Sequence, residues 1–176
     1  MKNEDRLKAY REMTEVSRKW VSVMDAKAAF LSALNAGLLT FIWSGARLVE
    51  KGGGTKWLAL VASGISIVSL LAALWVVLPR ESLSRIFGKG SRYADGFKAV
   101  SFYGYVATHY PKGKEGEFIS DVEKMDVKTL AFEALEQHFT ISHTVQQKSV
   151  WVTRAGWLLF TALIFAGLAL VAEVVC

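Results

Sequence analysis

The chain has 176 residues, room for one folding unit, and its formal net charge of +5 comes from 21 bases mixed with 16 acids. That mixture argues against a nucleic-acid surface, and a basic face near anionic lipid is its ordinary explanation. The one cysteine, Cys176, excludes an intrachain disulfide and a cysteine-built metal site.

Residues 3–24 are predicted to form an amphipathic helix. Leu7, Tyr10, Met13, Val16, Trp20 and Met24 recur at helical spacing. Glu4 with Lys8 and Glu15 with Lys19 are i,i+4 pairs in the favourable order. No Gly or Pro interrupts the chain before Gly37, so the helix should continue into the uncharged run 28–46. That run is as long as a membrane crossing, since ~20 apolar residues span ~30 Å of hydrocarbon. Five carboxylates up to Asp25 point the amphipathic part toward a protein partner rather than a lipid surface.

Asp25 and Lys27 stand at the mouth of this run, where a charge needs a partner or water. Asp25 heads a line of small residues, Ala28, Ala29, Ser32, Ala33 and Ala36, expected to face another helix. Lys27 points the other way, with Leu31, Leu34 and Leu38. Two readings stand for the charges: a functional pair, or a snorkelling lysine beside a helix-start aspartate. Asn35, inside the run, should hydrogen-bond a second helix.

Gly52, Gly53 and Gly54 make a tight loop. A phosphate cradle is excluded there, because no strand precedes it and no GK[ST] follows. The second apolar run, 57–79, carries small residues at Ser63, Ser66, Ser69 and Ala73 and ends at Pro79-Arg80. Residues 81–113 are broken by Gly88, Gly90, Gly96 and Gly104. The aromatic stretch 97–106 within them fits a strand, a buried loop or an interfacial segment, with a packed connector favoured.

A short helix is expected over 114–124, anchored by Phe118 and Ile119, and Asp126 has the form of an N-cap. From Val127 no Pro or Gly appears until Gly156, which predicts one helix over about 127–171 that includes the third apolar run, 155–172. Leu130, Ala134, His138, Ile141, Val145 and Lys148 share one face of it, a coiled-coil-like seam for the N-terminal helix. Lys148 then reaches the depth of Asp25 and should pair with it.

The bases sort by loop: seven over 2–27, three around the first loop, eleven over 80–154. By the positive-inside rule the N-terminus and residues 80–153 are cytoplasmic, and the first loop and C-terminus lie outside. Trp43 and Trp57 mark the outer interface; Trp75, Trp151 and Trp157 mark the inner one.

No catalytic constellation is readable, and an enzyme is not expected. His138 and His143 are five apart and do not make the i,i+4 zinc pair, so no metal is expected. Phe102, Tyr103 and Tyr105, with Lys98 and Arg92 nearby, can stack a base and hold a phosphate, or simply cover other helices.

Taken together, the stretch with Trp20, Asp25, Lys27, Ala28 and Asn35 resembles the first block of the transmembrane Pycsar effector family. The end of the second run at Pro79-Arg80, the FYGYV block (102–106), Glu117-Phe118, and then Leu135, Gln137, Ser142 and Lys148 follow in the family's order. The aromatic residue usual just after the lysine is displaced here to Trp151. The resemblance covers roughly 13–170. It implies a bacterial inner-membrane effector of antiphage defence, triggered by a cyclic pyrimidine nucleotide and compromising the membrane to halt the infected cell.

The expectation is an all-α membrane bundle with three transmembrane helices, the first and third extended into the cytoplasm as a stalk. Its parts are a cytoplasmic helix (1–26), crossings at 27–49, 57–79 and 154–175, and a cytoplasmic connector and helix (80–153). Candidate ligand contacts are Arg92, Lys98, Phe102, Tyr105 and His138. Gating or packing candidates are Asp25, Lys27, Asn35 and Lys148. The partners expected are the lipid bilayer, cUMP or cCMP as activating ligand, and further copies of the chain as a homo-oligomer, with no other cofactor and no nucleic acid. The alternative is a passive membrane anchor for a cytoplasmic protein.

Overall fold

The computed structural model describes residues 3–78, 100, 106–107 and 109–175. Among them stand the helices α1 (Asn3–Thr40), α2 (Gly53–Val77), α3 (Glu115–Glu123) and α4 (Val127–Val175), and residues 106–107 and 109 are helical as well. No strand occurs among the described residues. Three of the helices, α1, α2 and α4, are long and apolar enough to cross a membrane. The chain divides into two compact units. One holds α1 up to Lys19, with α3 and α4 up to His143; the other holds Trp20 to Leu78 and the chain from Thr144 onward.

The second of these is a three-helix bundle. From α1 it buries Met24, Ala28, Asn35, Leu38 and, in the turn beyond, Ile42. From α2 it buries Thr55, Ala59, Ala62, Ser66, Ser69, Ala73 and Val76, and from α4 Val152, Ala155, Leu159, Ala162, Ala166 and Ala169. With Leu31 packed beside them, these residues recur in alternating steps of three and four on each helix. That is the 3.5-residue repeat of left-handed helix packing. Lipid gives helices no hydrophobic reason to associate, so close approach and hydrogen bonds must hold them. The alanines of α4 and the serines of α2 allow that approach.

The face of α1 agrees with the expected one at Ala28, which is fully buried, and differs elsewhere. Ala29, Ala33 and Ala36 are exposed, while Leu31 and Leu38 turn inward. The small residues come from α2 and α4, so α1 supplies the larger side chains that fill the space between them. Helix α1 widens into a π turn (Phe41–Gly45). Arg47 then takes a left-handed φ of 50°, and Ala46 N and Leu48 N donate to Phe41 O and Ile42 O. These bonds satisfy carbonyls that the helix end would leave open. Gly53, at φ 60°, supplies the left-handed turn expected of the glycine triplet. Lys51 Nζ lies 2.6 Å from Glu173 Oε1 on α4.

In the other unit, Asp126 caps α4 as expected: Thr129 N donates to its Oδ1 at 2.7 Å. A hydrogen bond from the Thr129 side chain, and then this backbone bond, hold the Asp126 carboxyl below its ordinary range. Tyr110 donates to Asp121 on α3 at 2.7 Å and stands edge-on to Phe118. Short helix and long helix thus fall within a residue or a few of their expected bounds. The N-terminal part of α1 buries Thr14 and Ser17, not the expected apolar line, and Met13, Val16 and Trp20 are exposed.

Candidate functional site: two polar layers on α1 and α4

Within the first unit, α1 and α4 meet through polar side chains. Thr14 Oγ1 shares its proton between the carbonyls of Tyr10 and Ala134, both at 2.9 Å. One turn along, Ser17 Oγ and His138 Nδ1 are hydrogen-bonded at 2.8 Å. Arg18 donates to Gln137 Oε1 at 3.1 Å, and Gln137 Nε2 reaches Glu133 Oε1 at 3.5 Å. Glu133 is only 1% exposed. Hydrogen bonds replace most of the apolar contact a helix seam would have, and each contributes about 0.5–1.5 kcal/mol net.

Glu136, one turn beyond Glu133, keeps a buried Oε2 with no hydrogen-bond partner. Burial, and then the like charge of Glu133, push its carboxyl above the ordinary value of 4.5. A raised carboxyl pKa in the folded state means stability that is full below the unfolded value and lost as pH rises through the folded one. Glu136→Gln is therefore expected to raise the melting temperature at pH 7–8 and to change it little near pH 4. A melting-temperature difference that is flat across this range would contradict the assignment.

The second unit carries its own polar layers. Lys148 Nζ on α4 donates to Asp25 Oδ1 on α1, joining the two residues singled out in the sequence. Lys148 is 15% exposed and Asp25 37%, so water reaches the aspartate more than the lysine. Deeper along α1, Asn35 is fully buried. Its Nδ2 donates to Leu31 O at 2.8 Å and to Ser69 Oγ at 2.9 Å, and Ser66 Oγ donates to its Oδ1 at 2.9 Å. Ser69 Oγ then donates to the Ala155 carbonyl of α4 at 2.8 Å. One asparagine thus ties all three helices of this unit at one level.

Of the residues chosen from sequence, Asp25 and Lys148 meet, Asn35 finds its second helix, and His138 lies on the α1 seam. Lys27 is exposed on α1. Arg92, Lys98, Phe102 and Tyr105 lie outside the described residues. No group of three His, Cys, Asp or Glu side chains suited to a metal occurs among the described residues. Thr14, Ser17, Arg18 and Glu133 were not singled out, and Gln137 entered only through the family's order of residues. A hydrophobicity pattern passes over them, but the 3-4 repeat running back from Asn35 through Met24 to Ser17 and Thr14 marks two of them.

The family model of the Pycsar effector protein domain (PycTM) matches residues 9–173. The chain belongs to the Pycsar effector family. This Pycsar effector is therefore assigned to antiphage defence, and it carries three helices long and apolar enough to cross a membrane. The matched span takes in every polar contact of the two layers described above. No match is found among curated proteins or solved structures.

Proposed function

We propose that this Pycsar effector responds to a cyclic pyrimidine mononucleotide, cUMP or cCMP, and then breaches the inner membrane, arresting or killing the infected cell. The family match over 9–173 carries this reading. The N-terminus and residues 80–153 lie in the cytoplasm, where a ligand with one negative charge meets most of the chain's bases, and the C-terminus lies outside. Arg92, Lys98, Phe102, Tyr105 and His138 contact the nucleotide, and the chain acts by binding rather than by catalysis.

A ligand can shift an equilibrium only by preferring one of two packings. The Ser17–His138 bond gives the first unit a contact that a ligand can exchange for its own. The Lys148–Asp25 pair and the Asn35 layer give the second unit contacts that hold a resting packing, with Lys27 beside them at the membrane mouth. Three helices line a poor pore, so the effector works as a homo-oligomer.

The test is dye entry into liposomes holding the purified full chain. Micromolar cUMP or cCMP is expected to start leakage that cAMP and cGMP do not, and His138→Ala is expected to raise the concentration needed about tenfold or more. Tight liposomes under every cyclic nucleotide would overturn the reading and favour a passive anchor.

A further inference from the structure

Inside the three-helix bundle, an apolar level separates the two polar ones. On α1, Ala28 and Leu31 stand between Asp25 and Asn35. On α4, Val152 stands between Lys148, which holds Asp25, and Ala155, whose carbonyl accepts Ser69 at 2.8 Å. On α2, Val76 follows Ser69 by seven residues, about two turns. Met24, Ala28, Val76 and Val152 form one apolar cluster, with Leu31 and Trp151 packed against it. All of these residues belong to the same compact unit.

Val76 is 1% exposed, and the other buried residues of α2 are alanine, serine or threonine. In lipid, helices are held by close approach, which small residues favour and a branched side chain hinders. Packing alone therefore does not call for the one bulky buried residue of α2 at this place. Without it, only Ala72 and Ala73 would stand on the buried face between Ser69 and the end of the helix.

Water reaches one side of this level and not the other. Asp25 is 37% exposed, whereas Asn35, about 15 Å farther along α1, has no exposed surface. The Asn35 layer holds three helices by hydrogen bonds, and water would offer its asparagine and serines the same donors and acceptors. The layer is a clasp only while it is dry. A narrow apolar constriction keeps water out by dewetting, without a charge or a hydrogen bond of its own.

We propose that Met24, Ala28, Val76 and Val152 form a dry seal that keeps water at the level of Asp25 from reaching the Asn35 layer, and that the membrane is breached when this seal is wetted. Val76 and Val152 carry the seal, one from each of the helices that the Ser69–Ala155 bond joins. The inference rests on the proposed breach of the membrane and is independent of which ligand starts it.

The experiment uses the full chain in liposomes and reads the entry of thallium ions with no nucleotide present. Val76→Thr keeps the shape of the side chain and adds a hydroxyl; Val76→Ala removes volume and adds nothing polar. Val76→Thr and Val152→Thr are each expected to raise the resting flux about tenfold or more, with helicity by circular dichroism unchanged. Val76→Ala is expected to raise it less, because an apolar cavity stays dry. Val68→Thr, on the exposed side of α2, is expected to match the parent. A flux from Val76→Ala equal to or above that from Val76→Thr would make the cluster ordinary packing and overturn the seal. So would an equal rise from Val68→Thr, or parent-like flux from both threonine variants in liposomes whose parent opens to a nucleotide. Raised flux from Val76→Thr in a chain that no cyclic nucleotide opens would keep the seal and overturn the nucleotide reading. Tight liposomes in every case would overturn both.

Discussion

Replacing Lys148 with methionine is expected to destabilise the resting bundle by about 1–3 kcal/mol, less than a deeply buried pair would cost because Asp25 keeps contact with water. Methionine keeps the length and apolar stem of lysine, so the loss reports the charge. The partner change Asp25→Asn should cost a similar amount, because it leaves the lysine, the more enclosed of the two, without its anion. Together the two changes should cost less than their sum. A double-mutant cycle measured by chemical unfolding in mixed micelles reads the difference as a coupling energy. Coupling below about 0.5 kcal/mol would make the contact inert. If the pair holds the resting packing, each single variant should also leak dye at a lower nucleotide concentration than the parent. The shift follows from the linkage: a resting state weakened by 1.4 kcal/mol needs about tenfold less bias to leave.

Membrane sequences are legible where lipid acts as the solvent and less so where helices touch one another. The three apolar runs, the unbroken course of α1 through Asp25, the cap at Asp126 and the length of α4 follow from charge-free length, breaker residues and side-chain capping. Each is a local property of the chain. The pairing of Asp25 with Lys148 was also legible, because two charges at the ends of apolar runs have few other places to go. Which face of α1 turns inward was not. Hydrophobicity ranks Met13, Val16 and Trp20 above Thr14 and Ser17, yet the polar pair is buried. The choice depends on α4, whose Ala134 carbonyl and His138 ring offer hydrogen bonds at those two levels. Likewise Ala29, Ala33 and Ala36 were read with Ala28 as the packing face of α1, and only Ala28 is buried; the alanines of α4 and the serines of α2 take the rest of that role. A repeat of 3.5, sought without regard to polarity, would have found both faces.

The larger effect is expected at Asn35. Asn35→Asp exchanges the Nδ2 donor for a carboxylate in the middle of the bundle, at a position with no exposed surface. The donor serves Leu31 O and Ser69 Oγ, so both bonds are lost, and the aspartate oxygens face the Ser69 hydroxyl, which already donates to Ala155 O. A charge at such depth costs on the order of 2.5–3.5 kcal/mol, in addition to about 0.6–1.7 kcal/mol for each interhelical hydrogen bond removed. Asn35→Leu loses the same bonds without adding a charge. Its serines can turn to carbonyls four residues back, as Ser63 does with Ala59 O at 2.8 Å. The order of stability should therefore be parent, Asn35→Leu, Asn35→Asp, with about 1–3 kcal/mol for the first step and at least as much for the second. Because this layer binds all three helices, the aspartate variant should leak dye and arrest growth with no nucleotide present. Equal stability for asparagine and aspartate would mean that water already reaches this level of the bundle, and the layer would then be a wetted track rather than the clasp of the resting state.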